Sequence, residues 1–327
     1  CPRATTAGSV DAYDDEAACL AASSDALLQH SARLGVNPGP DHDDASLGSE
    51  QRSLLCLLKN SVPMQKYLAN LSSFSSFKTC AVVASSGSLL HHNHASDIDN
   101  HDAVFRFNDA PVKGYEKVVG SKETVRFVHH VACKSFLEKF KIASFLDYDN
   151  KTALVFFDNN HQKLGIVPKD LLSRPLFTFV DTSVFDQFQE ILMTVFSNRW
   201  QSMGAKGKRL IPTAGALGLL FAMSQCDSVD TYDMANSEIS NRSHYHYYPP
   251  MGATHADDND FHVLFEAEHE LWARTSSTPR DEVFKTGKAS YPGFASISCD
   301  EVPKPDSILY ETGSAVQQVN LAALGNI

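Results

Sequence analysis

Six runs of four or five β-branched and aromatic residues recur along the middle of this chain: Cys80–Val83, Ala103–Phe107, Thr124–Val128, Ala153–Phe157, Leu176–Val180 and Val229–Tyr232. Continuous apolar runs of that length suit strands buried on both faces. Amphipathic or apolar helical patterns lie between several of them, at Cys133–Phe145, Ser183–Trp200 and Gly215–Gln225. A further pattern, Gln51–Leu71, precedes the first strand and is interrupted at Pro63, and another covers Asp260–Arg274. Such alternation predicts an α/β fold, a mostly parallel central sheet flanked by helices and Rossmann-like in its layers.

The chain has 327 residues, 43% of them apolar, enough to bury a substantial core. Residues 1–50 are rich in Ala, Ser, Asp and Gly, with a helical patch at Ala17–Leu34 and a turn-prone stretch at Asn37–Asp44. They read as a stem-like or ancillary segment, and residues 51–327 as one large domain. After Thr275 the pattern dissolves into Ser, Pro, Lys and Asp, so residues 276–327 are expected as a loop-rich wrap, with Ile308–Leu324 weakly structured. The formal charge of −11 argues against nonspecific nucleic-acid binding, which needs a basic face. An anionic ligand must then be met by a local site.

No run approaches the roughly 20 apolar residues that span a bilayer. The sequence begins without methionine or a signal-like apolar stretch, so membrane attachment is expected only through a segment outside it. Seven cysteines, with no CxxC and no Cys/His zinc spacing, fit a disulfide-forming compartment, with buried free thiols as the alternative. Sequons at Asn70-Leu-Ser72, Asn150-Lys-Thr152 and Asn241-Arg-Ser243 agree with a secretory route.

Four segments carry residues suited to chemistry. Ala84-Ser-Ser-Gly-Ser88 follows the strand at Cys80–Val83, where small residues admit a ligand close to the backbone and hydroxyls offer hydrogen bonds. Thr213 is placed to cap an apolar helix beginning near Ala214, whose first-turn amides favour an anion. Ser243-His-Tyr-His-Tyr-Tyr-Pro249 offers an imidazole and phenols that suit a phosphate without a metal. His262 opens the helical pattern Phe261–Trp272, where the helix dipole favours the neutral imidazole a general base requires. Each also has a plainer reading: a turn, a capped core helix, an aromatic strand end, a surface histidine. His91, His92 and His94 lie in a loop and are not read as a metal cluster.

In combination these segments resemble the sialylmotifs of eukaryotic sialyltransferases, glycosyltransferase family 29. Cys80–Leu89, Asp97–Asp102, Arg106–Pro111 and Gly120–Thr124 are similar to the large motif in order and spacing, and Pro212–Gly215 running to Tyr232 is similar to the small motif. His246-Tyr247-Tyr248 resembles the third motif, with Pro249 in place of the usual acid. His262 resembles the histidine of the very small motif, although Ala267 stands where its glutamate falls, between Glu266 and Glu268. The loop also departs from the family's Gly-Asn-Ser-Gly-Asn, and Ala214 replaces a second hydroxyl.

The resemblance implies a variant GT-A glycosyltransferase fold and an inverting enzyme that moves sialic acid, or a related 2-keto sugar acid, from a CMP-activated donor to a glycan on a glycoprotein, glycolipid or polysaccharide. It implies no cofactor and no metal. Donor contacts fall on Ser85, Ser86, Gly87, Ser88, Asn108, Thr213, Ala214, Gly215, Tyr247 and Tyr248, and the catalytic roles on His262 as base and on His246. His255, seven residues before His262, competes for the role of base. A disulfide between Cys80 and Cys226 is implied. For the others the pairing stays open, with Cys56 to Cys133, or Cys19 to Cys299, as the candidates. The implied address is the Golgi lumen, as the catalytic domain of a type II membrane protein. Two further readings remain: a transferase using CMP-Kdo or CMP-Kdn, and a catalytically silent protein that binds CMP or glycan.

Overall fold

The computed structural model describes residues 47–62, 76–129, 151–157, 176–180, 182–196, 212–235, 237–249, 265–299, 309–312 and 315–318. The chain divides into two compact units, 1–46 and 47–327. The first, with the expected helical patch at Ala17–Leu34, lies outside the described residues. So does the pattern at Cys133–Phe145.

A seven-stranded sheet forms the second unit's centre. Its strands are β1 (Phe77–Val83), β2 (Ala103–Phe107), β3 (Val125–His129), β4 (Ala153–Phe157), β5 (Phe177–Val180), β6 (Cys226–Tyr232) and β7 (Lys288–Pro292). The spatial order is β5-β4-β3-β2-β1-β6-β7. The first six run parallel, in registers such as Val82↔Phe105 and Cys80↔Val229, while β7 is antiparallel to β6 through Tyr291↔Val229. All five residues of β2 and of β4 are buried, as expected of strands covered on both faces.

The helices are α1 (Ser49–Ser61), α2 (Ala95–Asn100), α3 (Glu116–Val119), α4 (Thr182–Val195), α5 (Ala214–Gln225), α6 (Phe265–Thr275) and α7 (Arg280–Thr286). On one face α5 buries Leu217, Leu219, Leu220 and Phe221 beside Phe105, Phe107 and Phe127. Gly218 makes this approach possible, since a β-carbon there would stand 2.3 Å from the Phe107 ring. Trp272 of α6 stacks on Phe188 of α4 at 5.7 Å in the same core. On the other face Ala81, Val83 and Val104 pack with Leu89, Ile98, Tyr232, Tyr247 and Tyr248.

The region after Thr275 corrects the expectation of a loop-rich wrap. It supplies α7 and β7, and a two-stranded hairpin, β8 (Leu309–Thr312) with β9 (Ala315–Gln318), stands in the part expected to be weakly structured. Lys288-Ala-Ser-Tyr-Pro292 carries the marks of an edge strand, lysine and a terminal proline, which lack the apolar continuity of the central strands.

The cystine Cys80–Cys226 joins β1 to the start of β6. The pairing of Cys56 is corrected: it bonds to Cys299, neither to Cys133 nor through a Cys19–Cys299 bridge. Cys56 sits in the buried row Leu54–Leu58 of α1, and that helix is held to the segment after β7 by Lys59 Nζ donating to the Ile297 carbonyl at 2.7 Å. Cys19 and Cys133 lie outside the described residues.

Candidate active site at the carboxyl edge of the sheet

In an open parallel sheet the loops after the strands, where strand order reverses, form the ligand crevice. Here the reversal falls between β1 and β6, and the expected site residues that are described gather there. Ala84 N–H donates to the Tyr232 carbonyl, so the loop leaving β1 is pinned to the end of β6. Ser86 then caps a 3₁₀ turn, Gly87–His91: its Oγ accepts from the Ser88 amide and lies 2.6 Å from the Ser88 hydroxyl. Gly87 N–H donates to the His244 carbonyl at 3.0 Å, and a β-carbon on Gly87 would come within 2.4 Å of that oxygen. The glycine thus admits a neighbouring chain segment.

The turn after β2 is the second wall. Asn108 adopts φ +47, in the left-handed region that asparagine tolerates, and its Oδ1 accepts from His129 N–H at 3.0 Å. Arg126 of β3, fully buried, donates from Nη1 to the carbonyls of Asn108 and Ala110 at 2.8 and 2.9 Å. Glu123 supplies its counter-charge through two hydrogen bonds of 2.6 and 2.5 Å. Arg106 faces inward instead, donating to the carbonyls of Val119, Gly120 and Lys122.

The acidic run Asp97–Asp102 serves as framework. Asp97 accepts from the Tyr232 hydroxyl and Lys288, Asp99 from the amides of Ser121 and Lys122, and Asp102 from those of Lys78 and Thr79.

Thr213 caps α5, its Oγ1 accepting from Ala216 N–H at 3.0 Å. A residue the sequence reading passed over holds it. Glu268 of α6 accepts from Thr213 N–H at 2.8 Å and is bonded to the Thr213 hydroxyl at 2.6 Å. Burial pushes its carboxyl up to about 7, against the opposing hydrogen bonds from Thr213. The signal was its place on one helical face with Leu271, Trp272 and Thr275, all buried. Ala214 and Gly215 open α5, and Gly215 lies against Met234, just past β6, which sets this helix start at the same edge.

The segment 243–248 ties these parts together. Tyr247 N–H donates to the Ser85 carbonyl at 3.1 Å. The Tyr247 hydroxyl donates to the Pro111 carbonyl at 2.7 Å, and the Tyr248 hydroxyl to Asp109 Oδ1 at 2.8 Å. Both phenols are therefore engaged by the turn after β2, and burial holds both well above the usual tyrosine range. His246 stacks on Tyr248, ring centroids 4.9 Å apart and planes 17° apart. His255 and His262 lie outside the described residues.

Asp233, at the end of β6 with φ +55, has its carboxyl pushed up to about 7 by burial, against hydrogen bonding from Ser88 and Ser237. His92 Nε2 stands 3.9 Å from it and His94 bonds to the Thr286 carbonyl, so these histidines serve the loop. Among the described residues no group of three or more His, Cys, Asp or Glu is placed to hold a metal.

A family model, "Glycosyltransferase family 29 (sialyltransferase)", matches residues 44–278. The chain is similar to a beta-galactoside alpha-2,6-sialyltransferase 2 of Danio rerio, 31% identical over 245 residues, covering 68% of this chain and 44% of that protein. It is similar to the Homo sapiens protein of the same description at 29% identity over 247 residues, 71% of this chain and 44% of that one. A crystal structure of a mammalian sialyltransferase is similar at 20% identity with a TM-score of 0.39, covering 72% of this chain and 85% of that one. The chain spans about half the length of the curated relatives it matches. With the family model spanning well over half of its residues, the chain belongs to glycosyltransferase family 29, the sialyltransferases.

Proposed function

We propose that this chain transfers sialic acid, or a related 2-keto sugar acid, from its CMP-activated form to a glycan hydroxyl with inversion. The observation that carries the reading is the meeting of three segments at one sheet edge: 244–248 is hydrogen-bonded to both 85–88 and 108–111 where open α/β sheets take nucleotides. In this reading the backbone and hydroxyls of Ser85–Ser88, with Asn108, hold the cytidine side of the donor. The first turn of α5, Thr213 to Gly215, faces its phosphate.

The anomeric carbon of such a donor is electron-poor beside its carboxylate, so bond breaking to CMP leads and the transition state has oxocarbenium character. His246 meets the charge that grows on the leaving phosphate, a kind of stabilisation worth about 3 to 4 kcal/mol per well-placed donor. Tyr247 and Tyr248 wall the donor side, with their hydroxyls committed to Pro111 and Asp109. His262 takes the proton of the acceptor hydroxyl, and no metal or cofactor enters the scheme. We assign the domain to the Golgi lumen as part of a type II membrane protein, an address supported by two cystines, which persist in oxidising compartments.

His262→Ala should lower transfer by about a hundredfold or more and leave the Kd for CMP within about threefold. Retained transfer would move the role of base to His255. The short hydroxyls of Ser85 and Ser88, where the family has amide side chains, favour one second reading, a donor such as CMP-Kdo or CMP-Kdn. Chromatography of products from each CMP-sugar in turn separates the two donors. CMP binding without turnover of any of them would mark a silent binding protein and overturn both.

A further inference from the structure

We propose that Asp109 is a positioning residue of the transfer reaction, fixing the His246 imidazole through the Tyr248 hydroxyl and ring. The inference rests on the reading of His246 as the group that meets the leaving phosphate. Its physical basis is a continuous chain of contacts. The turn carrying Asp109 is held from below by Arg126, which bonds the carbonyls on either side of it, those of Asn108 and Ala110. The Asn108 side chain ties the same turn to β3. A carboxylate on so fixed a turn makes a rigid anchor.

Asp109 Oδ1 accepts from the Tyr248 hydroxyl at 2.8 Å, a bond strengthened by the charge of its acceptor. Tyr248 is buried and boxed on its other side by Tyr247, ring centroids 5.1 Å apart at 71°. Tyr247 is itself fastened to Pro111 and packed edge-on against Tyr115 at 5.1 Å. With its hydroxyl anchored and its edge enclosed, the Tyr248 ring has one setting, and the His246 imidazole lies nearly parallel on it. An anionic acceptor at the hydroxyl also draws electron density into the ring, which favours a cationic imidazole stacked on its face. Loss of the carboxylate should therefore disturb the aim of His246 without removing any group that touches the donor.

The test measures kcat and KM for CMP-sialic acid on the full chain with a galactose-terminated acceptor. The variants are Asp109→Ala, Asp109→Asn, Tyr248→Phe and the double variant Asp109→Ala/Tyr248→Phe, each with its thermal unfolding recorded. We expect Asp109→Ala and Tyr248→Phe each to lower kcat about tenfold, with the donor KM changed less than about twofold. The double variant should be no slower than either single one, because both break the same bond. Asp109→Asn keeps an acceptor oxygen and should return kcat to within about threefold of the parent.

Multiplying losses in the double variant, or a lowered unfolding temperature with unchanged kcat in the folded protein, would overturn the inference and leave Asp109 a structural residue. Should Asp109→Ala fail to fold, Asp109→Asn and Tyr248→Phe decide the matter by the same comparison. His246→Ala keeps the two levels apart. If it retains transfer, the reading of His246 fails; if it abolishes transfer while Tyr248→Phe is fully active, only the positioning role fails.

Discussion

Glu268 bonds with both carboxyl oxygens to a single residue, Thr213, and is buried. A carboxyl raised from its ordinary value to about 7 is bound more tightly by protons in the folded chain than in the unfolded one. The stability this confers is fully present below about pH 4.5 and is lost as pH rises through 7, by about 3 kcal/mol if this group acted alone. Glu268→Gln should remove that slope, seen as a smaller difference between urea midpoints at pH 5 and pH 7.5 than in the parent. An equal or steeper slope in the variant would show that the carboxyl does not titrate in this range. Glu268 was only a flanking residue in the sequence because its partner lies 55 positions earlier, and no local pattern encodes that meeting. The same holds for Tyr248 and Asp109, 139 positions apart. Their residue types were legible, but the hydroxyl acceptors were not.

Among elements, the central strands were readable because they are covered on both faces and so carry apolar residues without interruption, as in Ala153-Leu-Val-Phe-Phe157. The helix α5 was readable for the same reason, and its observed bounds, Ala214–Gln225, differ by one residue from the pattern expected at Gly215–Gln225. The strand β7 was not, since an edge position tolerates Lys288, Ser290 and Pro292, which read as loop residues in sequence. The packing of α5 on the sheet depends on Gly218, over which Phe107 lies while Phe107 itself packs on Phe127 at 6.0 Å. Gly218→Ala should therefore cost about 1 to 3 kcal/mol through overpacking, measured by urea unfolding, despite the better helix propensity of alanine. A stabilised variant would mean that the Phe107 ring yields freely.

For the molecule as a whole, the cystine Cys80–Cys226 fastens the two strands whose loops form the candidate site, closing a loop of 146 residues. Replacing both cysteines by alanine should cost roughly 2 to 5 kcal/mol, read as a lower unfolding temperature, and should weaken CMP binding together with stability. Stability lost with CMP affinity intact would show that hydrogen bonds alone keep the two halves of the site in register. The other cystine encloses the first in sequence, Cys56 pairing with Cys299. A ribosome delivers residues in order at about 5 to 20 per second, so Cys56 must wait roughly 10 to 50 s before its partner, 243 positions later, is made. During that interval Cys80, Cys133 and Cys226 all emerge as rival thiols, and the inner bridge can close before the outer one. Native pairing of this protein is thus an ordering problem set by the direction of synthesis, and a host lacking thiol–disulfide exchange catalysts should accumulate chains mispaired at Cys56.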